Sequence, residues 1–248
     1  MPEADKVKEI VKKKYADAAS TGCGCRCGAS QSDEEISKSI GYSDEELTAV
    51  GGANMGLGCG NPVAFSKMKA GDTVVDLGSG GGIDCFLAAK KVGSSGRVIG
   101  VDMTEEMVQK ATANAAKQKI ENVEFIVAEI EKLPVADNSV DVIISNCVIN
   151  LAPDKAAVFR EAQRALKAGG KMFVSDIVLL GELTEEQKND EELLAGCVAG
   201  ALLKDDYIKI ITDIGFEVEV LNENKGISKE QYQGIALESL LLEITKKS

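Results

Sequence analysis

Seven cysteines and no histidine narrow the chemistry open to this 248-residue chain. Histidine is the usual general base, zinc ligand and triad member, so any mechanism here must run without it. The thiols divide by context. Cys23, Cys25 and Cys27 alternate in TGCGCRCGAS, a segment too rich in glycine and small polar residues for regular structure. Their spacing does not match the C-x₂₋₄-C of structural zinc sites, and Arg26 among them favours a thiolate. Cys59 and Cys197 lie in GLGCGNP and LLAGCVAGALL, and Cys147 closes the apolar run VDVIISNC. Such richness in a cytosolic protein points to metal binding or redox chemistry before structural disulfides. The plainer alternative is a set of small buried hydrophobes, and Cys85, on a core helix, is read that way.

A second constellation is acidic. In TVVDLGSGGGIDCF (73–86), an apolar run ends at Asp76 and a glycine turn follows: Gly78, Ser79, Gly80, Gly81 and Gly82. A helical pattern then opens at Ile83. This is the strand–turn–helix that begins a nucleotide-binding α/β fold. Ile83 stands where the dinucleotide fingerprint has its third glycine. Asp76 would repel a pyrophosphate but would hold the cationic amino end of S-adenosylmethionine. Asp102 follows Gly82 by about 20 residues, where a carboxylate accepts from ribose hydroxyls. Asp76, Asp102, Glu129 and Asn146 all fall at the predicted carboxyl ends of strands, where open α/β sheets bind ligands.

The elements that must position these residues alternate. Strands are predicted at 73–76, 97–103, 123–130, 140–147 and 171–178, with helices at 83–92, 104–119 and 154–167 between them. That implies a Rossmann-like, doubly wound, mostly parallel sheet. FEVEVLNEN and ESLLLEITKKS are read as two strands forming an antiparallel end. Residues 1–19 suggest an amphipathic helix with a solvated basic face of Lys8 and Lys12 to Lys14. Ser43 with Glu46, and Thr184 with Gln187, are capping boxes that open helices. The chain divides into an N-terminal helical and cysteine-rich segment (1–61), a binding core (62–180), a mostly helical, substrate-covering elaboration (181–234) and a strand returning to the core (235–248).

Composition sets the outer bounds. With 44% hydrophobic and 27% charged residues the chain reads as globular. A net charge of −12 argues against nucleic acid or an anionic membrane as partner. No apolar stretch reaches about 18 residues and the start MPEADKVKEI does not read as a signal peptide, so the cytoplasm is expected.

The glycine turn, the acids and LPVADNSVDVIISN together resemble the class I methyltransferases that use S-adenosylmethionine. GLGCGNP, DLGSGGGIDCFLAAKKVG, VIGVDMTEEMV, SNCVINLAPDKAAVF and AGCVAGAL narrow the likeness to the arsenite methyltransferases, over roughly residues 40–205. The resemblance implies Gly78, Ser79 and Gly80 beside the methionine moiety, Asp102 on the ribose, and Met103, Glu129 and Ile130 around adenine. It further implies trivalent arsenic bound by Cys59, Cys147 and Cys197. Soft-ligand chemistry agrees, since thiolates suit a thiophilic centre, and a pyramid of three leaves the arsenic lone pair free to attack a sulfonium methyl. Arsenic would arrive as a thiol complex and a thiol reductant would serve turnover, with Cys23, Cys25 or Cys27 in redox cycling or capture. Two other functions fit the residues: a methyltransferase for a small organic acceptor such as a quinone, and a non-enzymatic metalloid-binding protein.

Overall fold

Val74 and Val75 leave one strand in opposite directions, and each anchors a different layer of core. Val75 packs with Leu77, Ile99, Ile143 and Val174, and Val74 with Val98, Val142, Ile144 and Phe173. Strands buried on both faces need helices over both. The computed structural model describes residues 4–21, 32–226, 232 and 234–247. Among these, seven strands form one sheet: β1 (Thr73–Leu77), β2 (Arg97–Asp102), β3 (Val123–Val127), β4 (Val140–Asn146), β5 (Leu166–Leu179), β6 (Glu217–Asn224) and β7 (Leu237–Thr245). Their order is β3-β2-β1-β4-β5-β7-β6. The first five run parallel, and β7 is antiparallel to both β5 and β6. The doubly wound sheet with an antiparallel end is the fold the sequence predicts.

The described helices are α1 (Ala4–Thr21), α2 (Asp33–Ser39), α3 (Asp44–Val50), α4 (Pro62–Phe65), α5 (Ile83–Val92), α6 (Glu105–Gln118), α7 (Lys155–Ala165), α8 (Glu185–Lys188), α9 (Glu191–Ala195) and α10 (Lys204–Asp213). Both predicted capping boxes form. The Ser43 amide donates to the Glu46 carboxylate at 2.9 Å and the Glu46 amide to Ser43 Oγ at 3.2 Å, opening α3. Thr184 and Gln187 do the same for α8. Phe159 of α7 meets Tyr207 of α10 edge-on, with ring centroids 5.8 Å apart. Both rings are fully buried, so Phe159→Ala would cost about 3–5 kcal/mol.

Three expectations need correction. β3 stops at Val127 rather than at 130, because its partner β2 ends at Asp102, opposite Val127. Glu129 therefore lies in the turn beyond the strand. The elaboration over 181–234 is not one continuous cover: Tyr207, Ile211 and Phe216 belong to the main core and β6 lies in the sheet. Among the described residues α8, α9 and the chain as far as Leu203 stand over the strand ends, with Leu203 bridging to Leu179, and Tyr232 also lines the cavity there. Nor is the basic face of α1 wholly solvated, since Lys8 pairs with Glu129 at 2.7 Å and Glu131 at 3.1 Å.

Candidate active site

The carboxyl ends of β1, β2 and β4 open into a cavity walled by the glycine turn, α1 and the segment after α9. Asp76, Gly78, Ser79, Gly80, Asp102, Met103, Ile130 and Asn146 all line it, as do Cys147 and Cys197. The turn is tight. Gly78 has φ 69°, and a Cβ there would stand 2.4 Å from Val148 Cγ2. Larger residues are excluded both by that contact and by the left-handed backbone.

Three carboxylates converge on this turn. Asp102 is held by backbone amides, its Oδ2 accepting from Gly80 at 3.0 Å and its Oδ1 from Thr104 at 2.9 Å. Burial raises its pKa, and those two bonds oppose the rise. Asp76 is driven well above the usual carboxylate range by burial and by the neighbouring charge of Asp84. The Cys85 thiol donates to Asp76 at 3.2 Å, and that cysteine packs inside as its sequence context suggests. Asp84 is a site residue that sequence reasoning missed. It lies in the first turn of α5, where an acid reads as no more than a complement to the helix dipole. Here it is buried and accepts from Tyr42 Oη at 2.7 Å and from Asn146 Nδ2 at 3.2 Å. Burial pushes it up to about 6, against the pull of those two bonds.

These residues fit a cationic, ribose-bearing cofactor. Among the described residues the buried Ser79 Oγ has no hydrogen-bond partner, and the Cβ direction of Gly80 faces open space. A buried hydroxyl left unpaired beside clustered carboxylates is the arrangement a polar, positively charged ligand would complete.

The thiols gather at and just behind the other end of the cavity. Cys59 and Cys147 form a disulfide with their Cα atoms 5.9 Å apart. Cys197 Sγ donates to the Cys147 carbonyl at 2.7 Å. Three separate segments thus bring together the three predicted cysteines, all buried. Cys147 and Cys197 have φ 61° and 66°. Left-handed backbone at a residue other than glycine costs on the order of 1–3 kcal/mol and clusters at functional sites. Cys197 holds it just past the end of α9, where glycine is the usual occupant. Asn146 fastens the Cys59 loop. Its Oδ1 accepts from the Cys59 amide at 3.0 Å and its Nδ2 donates to the Gly60 carbonyl at 2.7 Å. Gly58, at φ 111°, allows that approach, for a Cβ there would lie 2.8 Å from Asn146 Nδ2.

Asp176 is a second site residue that the sequence did not single out, because an acid within an apolar strand carries no spacing signal. It is wholly buried on β5, and one of its oxygens lies with the Cys59 and Cys147 sulfurs in a group spanning at most 4.8 Å. Tyr207 Oη donates to Asp176 Oδ2 at 2.7 Å. Burial pushes this carboxyl up to about 7, with Tyr207 and Lys155 drawing it back. Lys155 is buried too, which lowers its own pKa.

Of the remaining predicted residues, Glu129 is 47% exposed, bound to Lys8, and not among the described residues lining the cavity; Ile130 and Glu131 are. Cys23, Cys25 and Cys27 lie outside the described residues.

A family profile described as "Methyltransferase domain" matches residues 68–215. The chain is 45% identical over 228 residues to the arsenite methyltransferase of Halobacterium salinarum, covering 87% of this chain and 58% of that protein. It is 33% identical to the arsenite methyltransferase of Mus musculus, covering 86% and 59%. Among solved structures, the arsenic (III) S-adenosylmethionine methyltransferase from Chlamydomonas reinhardtii superposes with a TM-score of 0.62 and 32% identity, over 89% of this chain and 75% of that one. The chain spans only about half to three-fifths of the length of the curated relatives it matches.

Proposed function

This chain belongs to the S-adenosylmethionine-dependent arsenite methyltransferases, and we propose that it transfers a methyl group to trivalent arsenic held by Cys59, Cys147 and Cys197. The observation that carries the reading is the convergence of those three cysteines from three separate segments: Cys147 and Cys197 line one end of a cavity whose other end suits the cofactor, and Cys59 is bonded to Cys147 behind it. S-adenosylmethionine supplies an electrophilic methyl on a sulfonium when it is bound. Asp76 and Asp84 would hold its amino end, the Asp102 carboxylate would accept from the ribose, and Met103 and Ile130 would flank the adenine.

The thiols do the remaining work. A thiol reductant opens the Cys59–Cys147 disulfide, and both sulfurs then exchange onto arsenic delivered as a thiol complex. Cys197 completes the pyramid and directs the lone pair toward the cofactor end of the cavity. No histidine is needed, because the transfer step moves no proton. Catalysis comes from alignment and from the exclusion of water by α1 and the segment after α9. Lys8, Val11 and Tyr15 present α1 to the cavity, and among the described residues no helix is long and apolar enough to cross a membrane.

Arsenite, methyl-labelled cofactor and excess thiol, followed by speciation of the arsenic, tests this reading. Labelled methylarsenic is expected. Tight arsenite binding without a methylated product would make the chain a metalloid buffer, and transfer only to an added quinone would return the organic-acceptor function.

A further inference from the structure

We propose, resting on the arsenic reading above, that the Asp176 carboxylate is the anionic wall of the metalloid site and stabilises the positive charge that arsenic acquires as it is methylated. Three observations carry this. One oxygen of Asp176 lies within 4.8 Å of both the Cys59 and the Cys147 sulfur. Oδ2 is taken by Tyr207, whereas the buried Oδ1 has no hydrogen-bond partner among the described residues. The nearby cation acts on Asp176 through its charge alone, since Lys155 Nζ donates to the carbonyls of Asn150 and Ala152 at 3.4 and 3.3 Å.

A buried carboxylate with an orphaned oxygen is costly, and packing does not call for it. Val174, Ile177 and Val178 around it on β5 are apolar and fully buried. The chemistry supplies a reason. Arsenic bound to three thiolates is neutral. When its lone pair forms the carbon–arsenic bond, the methyl–sulfur bond of the donor breaks and its electron pair stays on sulfur. The positive charge leaves sulfur and appears on arsenic. A fixed anion beside the thiolates is therefore stronger for the product side of the step than for its start, which is the condition for lowering a barrier.

Asp176→Asn keeps the size and the Tyr207 contact while removing the charge. In the fully reduced chain at pH 8, arsenite affinity, read from arsenic–thiolate absorbance, and cofactor affinity, read by calorimetry, should stay within about twofold. Single-turnover methyl transfer should fall on the order of 10- to 100-fold, and Asp176→Glu should recover part of it. An unchanged transfer rate would overturn the proposal, as would loss of arsenite binding in step with the rate, which would make Asp176 a support for thiol geometry. If Asp176→Asn does not fold, Asp176→Ser, smaller and uncharged, decides on the same readings: transfer that is unchanged, or lost in step with arsenite binding, refutes the charge role. Failure of the unsubstituted protein to bind or methylate arsenite fails the parent reading instead, and shows before any variant is made.

Discussion

Cys147 and Cys197 are the residues on which backbone cost and function meet. Both keep left-handed backbone without being glycine, and both line the cavity beside the glycine turn. Cys59 is set apart: it does not line the described cavity and is held through its amide and carbonyl by Asn146 and Ser239. The three should therefore not be equivalent. Trivalent arsenic offers three positions to sulfur, and after one methylation only two remain. Cys59→Ser should abolish methylation of arsenite and retain activity on monomethylated trivalent arsenic. Cys147→Ser and Cys197→Ser should lose both, since one thiolate cannot fix the lone pair. Product speciation for each variant with each substrate checks this. Across the cavity, Asp102→Ala removes a buried acceptor with two amide donors, and cofactor affinity should weaken by about 1–3 kcal/mol with arsenite binding intact; calorimetry measures it. The residues legible in the sequence were those with a spacing signal or a distinctive context, namely the glycine turn, Asp102 and the cysteines. Asp84 and Asp176 had neither. One looks like a helix dipole complement and the other like a stray charge in a strand, and only burial against partners distant in sequence gives them meaning.

At the scale of elements, periodicity recovered the strands and the main helices, because two-sided burial leaves long apolar runs that little else produces. It failed where pairing rather than composition sets an end. VEFIVAEI reads as one strand throughout, yet β3 cannot outlast β2, and that places Glu129 at the rim. The helix α10 reads like the elements before it, but its Tyr207 and Ile211 enter the core and remove it from the cover. The role of α1 was likewise hidden, since Lys8 finds Glu129 and Glu131 across more than a hundred residues. Those pairs fasten α1 over the cofactor end of the cavity. Lys8→Ala should speed cofactor release and weaken its binding a few-fold, in keeping with about 0.2–1 kcal/mol for partly exposed ion pairs. Arsenite affinity should not change. Stopped-flow dissociation of the cofactor measures the first effect and arsenite titration the second.

For the whole molecule, the missing histidine decides how stability responds to pH. Histidine is the side chain that ordinarily titrates between pH 5 and 8. Here that window falls to buried aspartates, Asp84 at about 6 and Asp176 at about 7. Asp76 is displaced upward as well. Unfolded, each would ionise near 3.8, so between that value and its folded pKa the folded chain binds the extra protons. Their contribution is fully present below pH 3.8 and is lost as pH rises through about 6 and then 7. Carboxylates displaced downward, such as Glu161 beside Arg164, act only below their ordinary 4.5 and leave the window untouched. The cofactor-free protein with its Cys59–Cys147 disulfide closed should therefore be more stable at pH 5.5 than at pH 8. At about 1.4 kcal/mol per pKa unit, Asp176 alone accounts for about 2 kcal/mol of that difference, or roughly 4–8 °C in melting temperature for a chain of this size. Asp176→Asn should remove its share of the slope and raise the melting temperature at pH 8, where the buried charge costs most. Calorimetric melts at the two pH values, with and without the substitution, decide it. A melting temperature equal at pH 5.5 and 8 in the unsubstituted protein would mean that these carboxylates are not held in a dry interior.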